Sequence, residues 1–131
     1  MEMMVTFPGG SRVDMQIGAH LVRTDQPLQA GGEDSAPAPF SLFLASIGTC
    51  AGIYVLGFCK QRGLPTDGIR LVQRVEGDRA TGLIGKIGLD IQVPPEFPAK
   101  YHEALVRAAS QCTVKKHLEN PPRFEVRTVV A

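Results

Sequence analysis

The chain has 131 residues, enough for one domain with a genuine core, since a chain of this size hides roughly two-thirds of the surface its unfolded form exposes. Its 14 basic and 13 acidic residues leave a formal charge of +1. No long run of like charge occurs, which argues against a nucleic-acid patch or a polybasic membrane anchor. The opening residues, MEMMVTFPGG, lack the basic start and apolar stretch of an export signal, so the three cysteines point to a reducing, cytoplasmic setting.

Residues 2–7 predict a short strand, followed by the turn cluster Pro8-Gly9-Gly10-Ser11. In residues 12–17, Val13, Met15 and Ile17 share one face at a period of two, which predicts a second strand. Gly18-Ala19 suits a tight turn into a third strand at 20–25, making a meander. Residues 26–39 are rich in proline and glycine and predict a long loop. Loops of that length in a small domain usually cover something.

Residues 40–59 read FSLFLASIGTCAGIYVLGFC, without a charge. A transmembrane helix, a helix buried on all sides in a soluble core, and a pair of buried strands all fit such a run. The scattered glycines and the missing turn chemistry disfavour strands. A single span would leave two soluble pieces with strand-like apolar faces and nothing to cover them, so the buried helix is preferred. Pro39 suits its start, and Lys60-Gln61-Arg62-Gly63 its end. A helix this apolar needs shielding that a second subunit would supply.

Residues 69–76 and 81–93 predict two strands around the turn at 77–80. Leu83, Ile87, Leu89, Ile91 and Val93 share one face. Pro94-Pro95 stops the second strand. Residues 99–118 predict one further helix, with Tyr101, Leu105, Ala108 and Cys112 on a stripe. After Pro121-Pro122, residues 124–130 alternate as a final strand. The expected order is βββ-α-ββ-α-β, an α+β single domain over residues 1–131.

Cys50 and Cys112 each lie on an apolar face of an expected helix. Elements sharing one sheet would bring the two faces together. Such a pair can form a sulfenic acid and then a disulfide without metal or cofactor. His20, His102 and His117 do not cluster with the cysteines at metal spacing, so no metal site is expected. Cys59 falls about 180° around and about 13 Å along the helix from Cys50, which predicts a buried structural thiol.

The run Pro39-Phe40-Ser41-Leu42-Phe43-Leu44-Ala45-Ser46-Ile47-Gly48-Thr49-Cys50 resembles the first signature of the OsmC/Ohr family. Gln111-Cys112-Thr113-Val114 followed by Leu118 is similar to the second, in which the cysteine precedes proline and valine. The resemblance implies an intertwined homodimer. It further implies a thiol-dependent peroxidase in which Cys50 attacks an organic hydroperoxide and Cys112 resolves the product. An external dithiol would restore the pair, with no cofactor, nucleic acid or membrane partner. Arg12, after the Gly9-Gly10 pair, matches the arginine that holds the thiolate, with Arg23 a weaker candidate. Phe40 and Phe43 are expected to line the substrate pocket.

Two positions depart from the family pattern. Phe40 and Ser41 stand where members carry a glutamate that anchors the arginine. Glu33 or Asp34 in the preceding loop are the candidates to replace it. Thr113 stands in place of proline, which removes a constraint on the turn after Cys112. A redox sensor or small-ligand binder on the same scaffold is the alternative function.

Overall fold

A computed structural model describes residues 1–131. It divides into two compact units, Met1–Ala45 and Ser46–Ala131. In the first unit, β1 (Met4–Gly9), β2 (Arg12–Ile17) and β3 (His20–Thr24) form an antiparallel sheet in that order. Gly9 pairs with Arg12 across the first turn, and Ile17 pairs with His20 across the second. Both turns rest on glycines with positive φ, Gly10 at 58° and Gly18 at 56°, a region that side chains with a Cβ rarely adopt.

The loop after β3 contains one 3-10 turn, Leu28–Ala30, and is organised by Asp25. This carboxylate is 1% exposed. It accepts the Ser35 hydroxyl and the main-chain N–H groups of Gln26, Glu33 and Ser35. These bonds, led by that of Ser35, hold the Asp25 carboxyl down at about 2. A burial penalty opposes them and is outweighed. The loop packs so closely that a Cβ on Gly32 would lie 2.0 Å from the Gln26 carbonyl oxygen.

Helix α1 (Pro39–Gln61) begins and ends close to the residues the sequence marks. Proline fits the first helical position because its missing N–H needs no partner there. At the far end Leu64 N–H donates to the Cys59 carbonyl and Gly63 N–H to that of Lys60. With Gly63 at φ 63°, this is a Schellman stop. The helix is buried along one stripe only, at Ile47, Ala51, Val55, Phe58 and Cys59. The single chain leaves the rest of the helix surface less covered. Thr49 and Ile53 are exposed, and Ile53 retains 58% of its surface.

In the second unit, β4 (Arg70–Gly77) and β5 (Ile84–Gln92) form an antiparallel pair. Leu71 pairs with Ile91, Gln73 with Leu89 and Val75 with Ile87, which places these side chains on one face. Gly48 of α1 lets that face approach: a Cβ there would meet the Gln73 side-chain oxygen at 2.9 Å. On the exposed side Arg74 pairs with Asp90. The core gathers Val55, Phe58, Cys59, Phe97 and Leu105. Tyr101 meets Phe58 edge-on, and the Arg62 guanidinium lies 3.6 Å over the Phe58 ring.

The single helix expected over 99–118 is three pieces: a 3-10 turn at Ala99–Tyr101, α2 (His102–Ala109) and α3 (Thr113–Glu119). The Ser110 hydroxyl donates to the Val106 carbonyl, and Gln111 N–H tightens onto Ala108. Such local bonds compete with helix propagation. Cys112 then turns extended, at φ −48° and ψ 123°, and serves as the N-cap of α3. The expected strand at 124–130 is absent, and residues 121–131 carry no regular element. Phe124 and Val126 are 86% and 97% exposed. A strand exists only where another offers its hydrogen-bonding edge, and this segment has none within the chain.

Candidate functional site

The second unit holds the two cysteines of interest side by side. Cys50 sits three turns into α1 and is half-buried, while Cys112 is 3% exposed at the start of α3. Both are free thiols. The break between α2 and α3 aims the chain at 112–114 toward Cys50. Hydrogen bonding from the segment 112–114, the Val114 main chain foremost and then the Cys112 thiol, lowers the Cys50 pKa from the ordinary thiol value, against a burial penalty.

The Cys112 hydrogen has two acceptors. Its sulfur lies 3.9 Å from the Ile47 carbonyl oxygen and also bonds to Cys50. Ionised Cys50 is the stronger acceptor, because hydrogen bonds to charged groups are about twice as strong as neutral ones.

Tyr54 lies one turn beyond Cys50 on α1, and its hydroxyl is 3.3 Å from that of Thr113. Neither residue was singled out as functional by sequence reasoning. The i, i+4 spacing from Cys50 signals Tyr54. Thr113 was visible only as a departure from proline.

The remaining residues named from the sequence have surroundings of their own within each unit. Cys59 is fully buried in the core, and burial pushes its thiol up, with Arg62 pulling the other way. Arg12 belongs to the first unit, where its Nε donates to the Gly9 carbonyl at 3.2 Å. Phe40 and Phe43 stack with ring centroids 5.4 Å apart, and Phe40 is 56% exposed. Arg23 sits on β3 opposite Asp14. The Asp25 loop carries Glu33 and Asp34, the latter at φ 54°. His117 contacts the Thr113 carbonyl within α3 at 2.8 Å.

Beside Cys112 the second unit holds an apolar cavity of about 530 Å³, whose walls include Ile47, Ala51, Ile87, Leu89, Leu105 and Cys112. Cys112 contributes to this cavity as well as to the bonds at Cys50. The volume is within the range that admits small organic ligands.

No curated protein matches the sequence. Three solved structures share the fold at low identity. An osmotic stress induced and detoxification response protein from Psychrobacter arcticus 273-4 is 18% identical, with a TM-score of 0.73, covering 87% of this chain and 85% of its own. An organic hydroperoxide resistance protein OsmC from Legionella pneumophila is 18% identical, with a TM-score of 0.56 over 89% and 87% of the two chains. The organic hydroperoxide resistance protein OhrB of Bacillus subtilis is 21% identical, with a TM-score of 0.51 over 92% and 93%. The family model described as OsmC-like protein matches residues 32–127, a span that includes both cysteines and both unexpected hydroxyls. The chain therefore belongs to the OsmC-like family.

Proposed function

We propose that the protein is a thiol-dependent peroxidase that reduces organic hydroperoxides through Cys50 and Cys112. The observation that carries this reading is the buried Cys112 sulfur, 3.9 Å from the carbonyl oxygen of Ile47, one helical turn before Cys50. A nucleophilic cysteine works as the thiolate, and hydrogen bonding from the segment 112–114, the Val114 main chain foremost, lowers the Cys50 pKa toward that form. The names of the solved neighbours, two of them organic hydroperoxide resistance proteins, supply the substrate class.

The Cys50 thiolate attacks one oxygen of the hydroperoxide. The O–O bond breaks, an S–O bond forms, and the alcohol leaves after its oxygen takes a proton. Cys50 is then a sulfenic acid. The Cys112 thiol gives up its proton and its sulfur attacks the Cys50 sulfur; the S–O bond breaks, the disulfide forms, and the departing hydroxide takes up a proton and leaves as water. An external dithiol returns both thiols and is itself oxidised. Arg12 is proposed to support the thiolate, and Phe40 and Phe43 to meet the apolar part of the substrate.

The working form is proposed to be a cytoplasmic homodimer built from one domain, residues 1–131. The exposed side of α1 and the exposed apolar residues of 121–131 support this, because large apolar patches on a soluble chain mark interaction surfaces.

The test is consumption of cumene hydroperoxide with a lipoyl-type or thioredoxin-type dithiol. Wild type is expected to turn over and Cys50→Ser to be inert. Activity surviving in Cys50→Ser, or absent from wild type with both reductants, overturns the reading. The apolar cavity bordered by Cys112 favours the second reading, a small-ligand binder or redox sensor, in that event.

A further inference from the structure

The apolar cavity of the second unit has a floor and a rim of different character. We propose that it is a binding site for an aliphatic carboxylate, with the alkyl chain in the cavity and the carboxylate at Lys115 on the rim. Cys50 is not among the walls, so the site is separate from the sulfur at which a hydroperoxide would react.

The floor is closed and apolar. Ile47, Ala51, Leu105 and Cys112 line it, and all four are buried. Strand β5 adds Ile87, Leu89 and Ile91, which share one face of the sheet. Apart from the Cys112 thiol, these side chains are purely aliphatic. Such a surface favours hydrocarbon over water. The cavity, about 530 Å³, is large enough for a small organic molecule.

The rim differs. Val106, Lys115 and Leu118 belong to the walls and are each about half exposed, which marks the mouth. Lys115 carries the one fixed charge among the walls, and no carboxylate is among them. The other polar wall residues are engaged. The Ser110 hydroxyl gives its hydrogen to the Val106 carbonyl, and the His102 ring stacks on Phe97. Lys115 pairs with Glu119 one turn along α3 at 3.9 Å, with both side chains exposed. Exposed pairs of this kind hold loosely, so the ammonium can turn to a ligand. A lysine can also lay its stem along apolar surface while its head stays in water.

This asymmetry selects the occupant. Hydrocarbon suits the floor, and a single negative charge suits the mouth. A carboxylate carries one charge, which one ammonium and water satisfy. A phosphate calls for an arginine fork or a second cation, and the walls hold neither. The tail residues Phe124 and Val126 are exposed and apolar, but a chain segment brings main-chain donors and acceptors with it. The aliphatic floor cannot satisfy these, and burying them unpaired is costly.

The test is calorimetric titration of the full chain with octanoate and, in parallel, with 1-octanol. Wild type should bind a single octanoate per chain, about tenfold more tightly than octanol, the effect of one hydrogen bond to a charged group. Lys115→Gln should remove that preference and leave octanol binding as it was. Lys115→Arg should restore it. Val106→Trp should weaken both ligands, because it narrows the mouth without touching the charge. If Val106→Trp fails to fold, Lys115→Gln still decides, since that side chain is exposed. Methyl NMR should show octanoate shifting Ile87, Ile91 and Leu105 while Val13 and Ile17 of the first unit stay in place.

Equal binding of octanoate and octanol to wild type would overturn the proposal, as would a preference that survives Lys115→Gln. The absence of binding, or shifts confined to residues outside the cavity, would overturn it too. So would octanoate binding that appears only after Phe124→Ser and Val126→Ser, which would give the cavity to the tail of this chain or of a second copy. No hydroperoxide enters the experiment, so this proposal and the peroxidase reading fail separately.

Discussion

The Cys112 sulfur lies 3.9 Å from the carbonyl oxygen of Ile47, one helical turn before Cys50, and donates to the Cys50 sulfur as well. The Cys112 thiol is therefore poised between the Ile47 carbonyl and Cys50. Treatment of the reduced protein with one equivalent of organic hydroperoxide should give a Cys50–Cys112 disulfide, read by a non-reducing peptide map. In Cys112→Ser the same treatment should stop at a sulfenic acid on Cys50 that dimedone traps. A disulfide involving Cys59 would contradict the assignment.

Thiol reactivity should follow burial and hydrogen bonding. Cys50 is held below the ordinary thiol value by its donors, so its alkylation should set in at a lower pH than that of a free thiol. Cys59 is fully buried and pushed upward. It should resist iodoacetamide in the native protein at pH 7 and react only on denaturation. Peptide-resolved labelling checks the order, and native labelling of Cys59 ahead of Cys50 would contradict it.

Acid should loosen the loop that Asp25 organises. The folded value of about 2 lies below the ordinary 3.8. A group depressed on folding contributes stability that is fully present above its unfolded value and is lost as pH falls through the folded one. Loss should therefore run from about pH 4 to about pH 2. Asp25→Asn should be less stable than wild type at neutral pH and nearly flat over that window. Paired chemical-denaturation curves at each pH measure the difference, and parallel pH dependence in the two proteins would refute the assignment.

Gly32→Ala should destabilise the same loop by about 1–3 kcal/mol or more, as overpacking against main chain does. The added carbon would sit 2.0 Å from the Gln26 carbonyl oxygen, which no side-chain rotation relieves. Thermal melts compare this variant with Gly57→Ala, where a Cβ meets nothing within 4 Å. Equal melting temperatures would show that the loop accommodates the methyl group.

Leu105→Ala should cost about 2–5 kcal/mol. Leu105 is 1% exposed in the core with Phe58, Cys59 and Phe97, and it also walls the apolar cavity. Urea unfolding would give the loss, and a change under 1 kcal/mol would mean that the site collapses to fill the gap.

The sequence by itself determined what local chemistry controls. Pro39 and Gly63 bracket α1 because one cannot use an N–H and the other tolerates a positive φ, and both effects reside within a few residues. The alternation in β2 and β5 shows in the order of their residues, as strand faces repeat every second residue. The placement of Cys59 away from Cys50 follows from helix geometry alone. What only the tertiary structure decided are features in which local tendencies compete with distant partners. The stripe of Tyr101, Leu105, Ala108 and Cys112 fits one continuous helix, yet Ser110 and Gln111 close bonds that end α2 and leave Cys112 as a cap facing α1. The alternation at 124–130 describes a strand face, but a strand forms only against a neighbouring edge. Thr113 reads in sequence as a missing proline. Its hydroxyl finds its partner, Tyr54, only when the fold brings α3 against α1, because a hydroxyl's role depends on the partner it meets, and here the two lie on different helices.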